Sequence, residues 1–326
     1  MATKATKLPS GSWRVRVEIE SEGKRRWKSF TAPTRKEAEF LAAQYAYTQK
    51  EQNKPQDMTI GGAMDAFIDA RSAVLSPSTI RSYRQINRCY FQDLHALRLR
   101  DLTNTIVQRQ VNAISLRCSP KTVRNALALL TSVLKVYHPD FAVRVDLPRK
   151  IKHEITIPSK SDVHRLLTAA QGTPLESAIL LAAGYGLRRG EISALCFSDI
   201  DLDACTIHIS KAYAKSNDNS WLLKSPKSYA GTRTISVSAN LIDRLYANRT
   251  DPQRVLPFPP DYITNHFSRL CDRLGMSFRF HDLRHYNASI MLAMNIPDKY
   301  AMERLGQSTP GMIKSVYQHI MADKRQ

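Results

Sequence analysis

No run of the sequence approaches the ~20 consecutive apolar residues that a membrane-spanning helix requires, so no membrane partner is expected. The opening MATKATKLPSGS also lacks the apolar segment of a secretory signal, which points to the cytoplasm. Cysteine is scarce. The five residues (Cys89, Cys118, Cys196, Cys205, Cys271) are odd in number, scattered and never in C-x-x-C spacing, which excludes a disulfide framework and suits reduced thiols. Neither G-x-G-x-x-G nor a P-loop occurs, so nucleotide chemistry has no support and no cofactor is expected. Acidic residues are also in short supply, 29 against 48 Lys and Arg, for a formal net charge of +19. Such an excess calls for a polyanionic partner, of which nucleic acid is the commonest for a soluble protein. A length of 326 residues suits two or three domains.

What is present has clear local order. Residues 13–20, WRVRVEIE, alternate strictly, with Trp13, Val15, Val17 and Ile19 on one face. Ser21-Glu22-Gly23 signals a turn, and Lys24 to Phe30 forms a second, basic strand. Thr34 and Glu37 make a capping box that opens a helix through about Gln49. The strands carry Arg14, Arg16, Lys24, Arg25, Arg26 and Lys28, a set suited to a strand-borne DNA reader or to a solvated basic hairpin. A polar linker, QNKPQD, follows, and from Thr59 to about Tyr137 the pattern is helical. Ser76-Pro77 and Ser119-Pro120 each place Ser at an N-cap and Pro at the first helical position. Arg81, Arg84, Lys121 and Arg124 stand near those helix starts, where phosphates bind well. Residues 138–158, with Pro139, Pro148 and Pro158, read as a flexible, extended, basic connection between globular units. Beyond it, helices are expected near 160–170, 174–184 and 189–195, strands near 205–213, 220–224 and 232–237, and helices to the end. Those strands imply one small antiparallel sheet beside a helical body.

Three stretches carry chemistry. In GYGLRRGE, Arg188 stands where a turn enters a helix and Glu191, three residues on, can orient it. In LLKSPKSYAGTR, Lys224 and Lys227 lie on a basic turn between strands, and either suits phosphate contact or protonation of a leaving oxygen. The third, HDLRHYNASIMLAMNIPDKYAMERLGQSTPGMIKSVYQH, puts His281, Arg284 and His285 on one helical face and later offers Tyr317. Cationic groups facing a potential nucleophile suit chemistry on a phosphate. His281 and His285 have metal-ligand spacing, but Asp282 stands where a zinc protease needs glutamate and no third ligand is evident, so no metal is expected.

Together these boxes resemble the tyrosine recombinases of the phage and conjugative-element integrase type. GLRRGEI is similar to the family's first-arginine box, SPKSYAGTRTI to its lysine hairpin, HDLRH to its H-x-x-R box and LGQSTPGMIKSVYQH to its terminal box. The resemblance implies an α+β, multidomain chain. Its parts are an arm-type DNA-binding domain at 1–52 (sheet plus helix), a helical core-binding domain at 58–140 and a mainly α catalytic domain with a small antiparallel sheet at 155–326. It implies Arg188, His281 and Arg284 at the phosphate, Glu191 in support, Lys227 as general acid toward the 5′ oxygen and Tyr317 as nucleophile. Gln307 departs from the family pattern, which has His or Trp there. A glutamine amide donates a neutral hydrogen bond but shuttles no proton.

The implied activity is site-specific integration and excision of a mobile element such as a prophage, in a bacterial host's cytoplasm on its nucleoid. The implied partners are double-stranded attachment sites, three further copies of the chain in a tetramer, and accessory excision or bending factors. Two other readings stay open: a DNA-relaxing enzyme using the same tyrosine chemistry, and a weakened DNA-binding relative, for which Gln307 speaks.

Overall fold

The computed structural model describes residues 3–21, 24–52, 57–151, 156–216, 218–225, 229–311, 313 and 316, the side chains of 19–21, 24–26, 47–52 and 229 excepted. The chain divides into two compact units, Met1–Leu75 with Ser82–Ile151, and Ser76–Arg81 with Lys152–Gln326.

The first unit opens with strands β1 (Thr6–Lys7), β2 (Trp13–Ser21) and β3 (Lys24–Ala32), antiparallel and paired in that order. Alternation in β2 buries Val15 and Val17 and leaves Arg16 exposed. Helix α1 (Arg35–Gln52) starts on one half of the expected capping box: Glu37 N–H donates to Thr34 Oγ1 at 3.3 Å, while the Glu37 carboxylate takes the Thr34 hydroxyl, at 3.1 Å, in place of its backbone N–H. Ala38 and Ala42, one turn apart, seat the helix on Val15, Val17 and Ala32. Small residues there let helix and sheet approach closely.

Helices α2 (Ile60–Asp69), α3 (Pro77–Tyr90), α4 (Asn104–Ser115) and α5 (Pro120–Tyr137) form a separate apolar cluster. Thr59, Thr103 and Ser119 cap α2, α4 and α5 by accepting from the N–H of Gly62, Ile106 and Thr122. Each such cap contributes about 1 kcal/mol. Helix α5 buries Val123, Ala126, Leu130, Val133 and Leu134, a helical stripe that packs on α2 and α4.

The connection after α5 is extended, but its first half is not a flexible tether. Phe141, Val143, Val145 and Leu147 alternate onto the helical cluster. Asn104 donates to the Ala142 carbonyl at 3.1 Å and accepts from Arg144 N–H at 2.7 Å. One turn on, Gln108 accepts from Asp146 N–H at 2.7 Å and donates to its carbonyl at 3.2 Å. Two side-chain amides on α4 thus supply the bonds that a neighbouring strand would supply.

The second unit begins with α6 (Lys160–Ala170), α7 (Pro174–Tyr185) and α8 (Arg189–Ala194), close to the expected spans. Strands β4 (Ile200–Asp201), β5 (Thr206–Ile209), β6 (Ala212–Lys215), β7 (Trp221–Lys224) and β8 (Arg233–Ser236) follow, then α9 (Ala239–Ala247), α10 (Pro260–Arg273), α11 (Asp282–Ala293) and α12 (Asp298–Leu305). The single strand expected at 205–213 is two. β5 pairs with β4 and β8, whereas β6 pairs with β7 in a separate two-stranded sheet. The break falls at Ser210 and Lys211, whose ammonium is held by Asp199 at 3.0 Å. Helix α7 is buried on nearly every side and forms the axis of this unit. Among the described residues no helix is long and apolar enough to cross a membrane, and the five cysteines carry free thiols.

Candidate active site

Helix α7 ends at Gly186, and the chain turns through Leu187 into α8. At that entry Glu191 reaches back: Oε2 accepts from Arg188 N–H at 2.9 Å and Oε1 from Arg188 Nη1 at 2.6 Å. The same buried carboxylate takes a second arginine from β8, Arg233, through Nη2 to Oε2 at 3.0 Å and Nη1 to Oε1 at 3.3 Å. Burial alone would raise the Glu191 carboxyl. Arg233 first, and then Arg188, overcome that and hold it below its ordinary value.

Arg284 enters from α11 and is 1 % exposed. It donates to the carbonyls of Gly186 and Leu305. The other two arginines use the same helix end: Arg233 Nε donates to the Arg304 carbonyl at 2.8 Å and Arg188 Nη2 to the Gly306 carbonyl at 2.9 Å. Three guanidinium groups therefore cap three successive carbonyls at the C-terminus of α12, the negative end of its dipole. Three cationic charges meet one carboxylate in this cluster, and among the described residues no carboxylate bonds Arg284. Burial, followed by repulsion from Arg188, lowers Arg284 to about 9.

His281 stands at the N-terminal end of α11. It reaches solvent on one side and is desolvated by protein on the other. Desolvation lowers it to about 4, with His285, Arg284 and Arg188 adding to the effect. Arg188, His281 and Arg284 therefore lie within one another's fields. His285 is also lowered by burial and packs edge to face on His281. Asp282 is buried and bonded to Arg279 N–H at 2.8 Å and Nη2 at 2.8 Å, so it fixes the approach to α11.

The other candidates are spread out. Gln307 follows Gly306 directly, half-buried, its N–H donating to the Met302 carbonyl at 2.9 Å. Lys224 ends β7, half-buried. Lys227 and Tyr317 lie outside the described residues. In the first sheet Arg14 and Arg16 share the face opposite α1, but Lys28 does not join them: its register partner is Val17, and its ammonium lies 4.2 Å from the Tyr45 ring centroid on α1. The side chains of Lys24, Arg25 and Arg26 are outside the described set. Arg81 is half-buried on α3, and Lys121 is exposed at the start of α5. Arg84 pairs with Asp69 at 2.6 Å, and Arg124 donates to the Pro148 carbonyl at 2.9 Å, pinning the extended segment.

Arg233 was not singled out from the sequence. A signal existed. Arg233 alternates with Ile235 and Val237 on the buried face of its strand, and an arginine at an apolar position demands a buried partner.

The sequence model of the phage integrase family matches residues 159–324, just over half of the chain and the whole of this arginine cluster. The chain belongs to the phage integrase family of tyrosine recombinases. A curated relative, a "Tyrosine recombinase XerC-like" protein of Caldanaerobacter subterraneus subsp. tengcongensis, is 23% identical over a 383-residue alignment covering 100% of this chain and 97% of that one. Among solved structures, the Tn1549 transposon integrase in complex with transposon right end DNA aligns at TM-score 0.68 and 17% identity, over 82% of this chain and 99% of that one. A lambda integrase tetramer bound to a Holliday junction aligns at TM-score 0.59 and 15% identity, over 96% of this chain and 94% of that one. At those identities the structural matches establish the fold of this chain. Its order is a small sheet-and-helix domain, a helical core and a mainly helical C-terminal domain with small antiparallel sheets.

Proposed function

We propose that the chain is a site-specific DNA recombinase that cleaves and rejoins duplex DNA through a 3′-phosphotyrosine intermediate on Tyr317. In this reading it integrates or excises a mobile element. The observation that carries the reading is the buried charge of Arg284, held by carbonyls alone among the described residues, beside the half-exposed guanidinium of Arg188. A buried guanidinium bonded only to neutral carbonyls is costly by itself, and an anion placed beside it relieves that cost.

A phosphodiester repels anionic nucleophiles, and Arg188 and Arg284 offset the charge that develops on its non-bridging oxygens. The Tyr317 hydroxyl attacks phosphorus, the bond to the 5′ oxygen breaks, and the 3′ phosphate stays on the tyrosine. His281, neutral near pH 7, takes up the tyrosine proton, and Lys227 protonates the departing 5′ oxygen. Because the phosphotyrosine ester retains the energy of the cleaved bond, a second 5′ hydroxyl reverses the step without ATP. The Tn1549 and lambda integrase complexes support DNA as substrate and an assembly of four copies for strand exchange. The basic faces of the N-terminal sheet and of the helical core would then hold attachment-site DNA.

A nicked suicide duplex incubated with the wild type and with Tyr317→Phe tests the reading. A covalent protein–DNA adduct with the wild type alone is the expected result. An adduct with the Phe variant would remove Tyr317 from its role, and none with either would sink the proposal.

A further inference from the structure

We infer that Arg233 is a positioning residue for the phosphate clamp: it locks Glu191 behind Arg188 and fixes the Arg304–Gly306 turn that carries Gln307. The inference rests on the recombinase reading above.

Its side chain is 4% exposed and all three of its nitrogens are engaged. Nη2 and Nη1 grip Glu191, Nη1 also donates to the Gly231 carbonyl at 3.1 Å, and Nε donates to the Arg304 carbonyl at 2.8 Å. One planar group thus links α8, through Glu191, to the end of α12 and to the turn Tyr229–Gly231, which follows Lys227 in sequence. Three of the stretches that carry candidate chemistry meet on it. Gly306 adapts to this packing. It adopts a φ of +60°, and a Cβ there would stand 2.6 Å from Arg233 Nη1 and 3.0 Å from the Ala230 carbonyl oxygen. Arg233 has no free face from which to touch substrate, so it acts through Arg188 and the turn.

Lysine cannot replace it. An ammonium on a flexible stem supplies a point charge, whereas the guanidinium fork fixes two carboxylate oxygens and a carbonyl in one plane. The charged groups facing Glu191 are Arg188 on α8, Arg233 on β8 and, at longer range, Arg284 on α11. Removing Arg233 takes away the strongest influence that keeps the carboxylate ionised. A protonated Glu191 loses its ionic hold on Arg188, leaving the Gly306 carbonyl as its remaining strong anchor.

The test compares the full-length wild type with Arg233→Lys and Arg233→Gln. Its measurements are melting temperature, affinity for the uncleaved duplex, and single-turnover cleavage of the nicked suicide duplex across pH. Both variants are expected to bind duplex within about twofold of the wild type and to cleave about 10- to 100-fold more slowly, the scale of loss when a reacting group is misplaced. The acid limb of the Arg233→Gln profile should move to higher pH, with Arg233→Lys less displaced. Wild-type cleavage rates in folded variants would overturn the inference. Failure of both variants to fold, or loss of DNA affinity in proportion to rate, would overturn it in favour of a purely structural role. An inactive wild type would instead sink the recombinase reading on which the inference stands.

Discussion

The imidazoles of His281 and His285 meet edge to face, with ring centroids 5.1 Å apart. Burial lowers both, and in His281 the neighbouring His285, Arg284 and Arg188 deepen the effect to about 4 from an ordinary 6.5. Between those values the unfolded chain binds protons that the folded one refuses, so stability falls as pH drops from 6.5 toward 4 and then levels off for this group. Glu191, held below its ordinary 4.5 by Arg233 and Arg188, loses its stabilising contribution only on further acidification. The melting temperature of the wild type should therefore decline across pH 6.5 to 4, and His281→Gln should show a shallower decline. Parallel curves would contradict the assignment.

Gly190 lies inside the first-arginine box, on a helix whose propensity alone would favour alanine by up to ~1 kcal/mol. A Cβ at that position, however, would stand 2.6 Å from the backbone oxygen of Tyr213 on β6. Backbone cannot swing aside as a side chain can, so α8 would have to lift from the hairpin. Gly190→Ala is expected to destabilise by about 1–3 kcal/mol, the usual cost of overpacking. Urea denaturation decides the sign, and a stabilised variant would show that the contact relaxes freely.

Gln108 binds both backbone groups of Asp146. Gln108→Ala removes the two bonds to the Asp146 backbone and a third to Asn112 Oδ1, neutral bonds that each contribute about 0.5–1.5 kcal/mol at a half-buried site. Global stability should fall by about 1–3 kcal/mol. Amide exchange at Asp146 should accelerate, with Arg144, held separately by Asn104, less affected. Equal protection of Asp146 in both proteins would mean that Val145 and Leu147 suffice to hold the segment.

Gln307 follows the residue whose carbonyl receives Arg188. On the recombinase reading, an imidazolium at that point would add a cationic donor to the phosphate, worth roughly 1–2 kcal/mol, or about tenfold in rate. Gln307→His should raise the cleavage rate of the suicide duplex. An unchanged rate would show that the amide already supplies what the reaction needs.

The boxes around Arg188, Glu191, His281 and Arg284 were readable in the chain because their logic is local. Residues three or four apart on a helix share a face, and a cap announces where the helix begins. The caps at Thr34 and Ser119, the buried valines of β2 and the stripe of α5 were legible for the same reason. Three features were not. The break between β5 and β6 is silent because side-chain alternation says which face is buried but not which strand lies alongside. The segment from Phe141 to Leu147 looked like a loose tether because its partners are amides on α4, well upstream in sequence. Arg233 looked like one more basic residue, since its carboxylate comes from α8 and its carbonyl from the end of α12. The sequence by itself determined which chemical groups are present and on which elements they ride. Only the tertiary structure decided that two arginines share one carboxylate and that three converge on one helix end, because a buried charge takes its partners from wherever packing brings them.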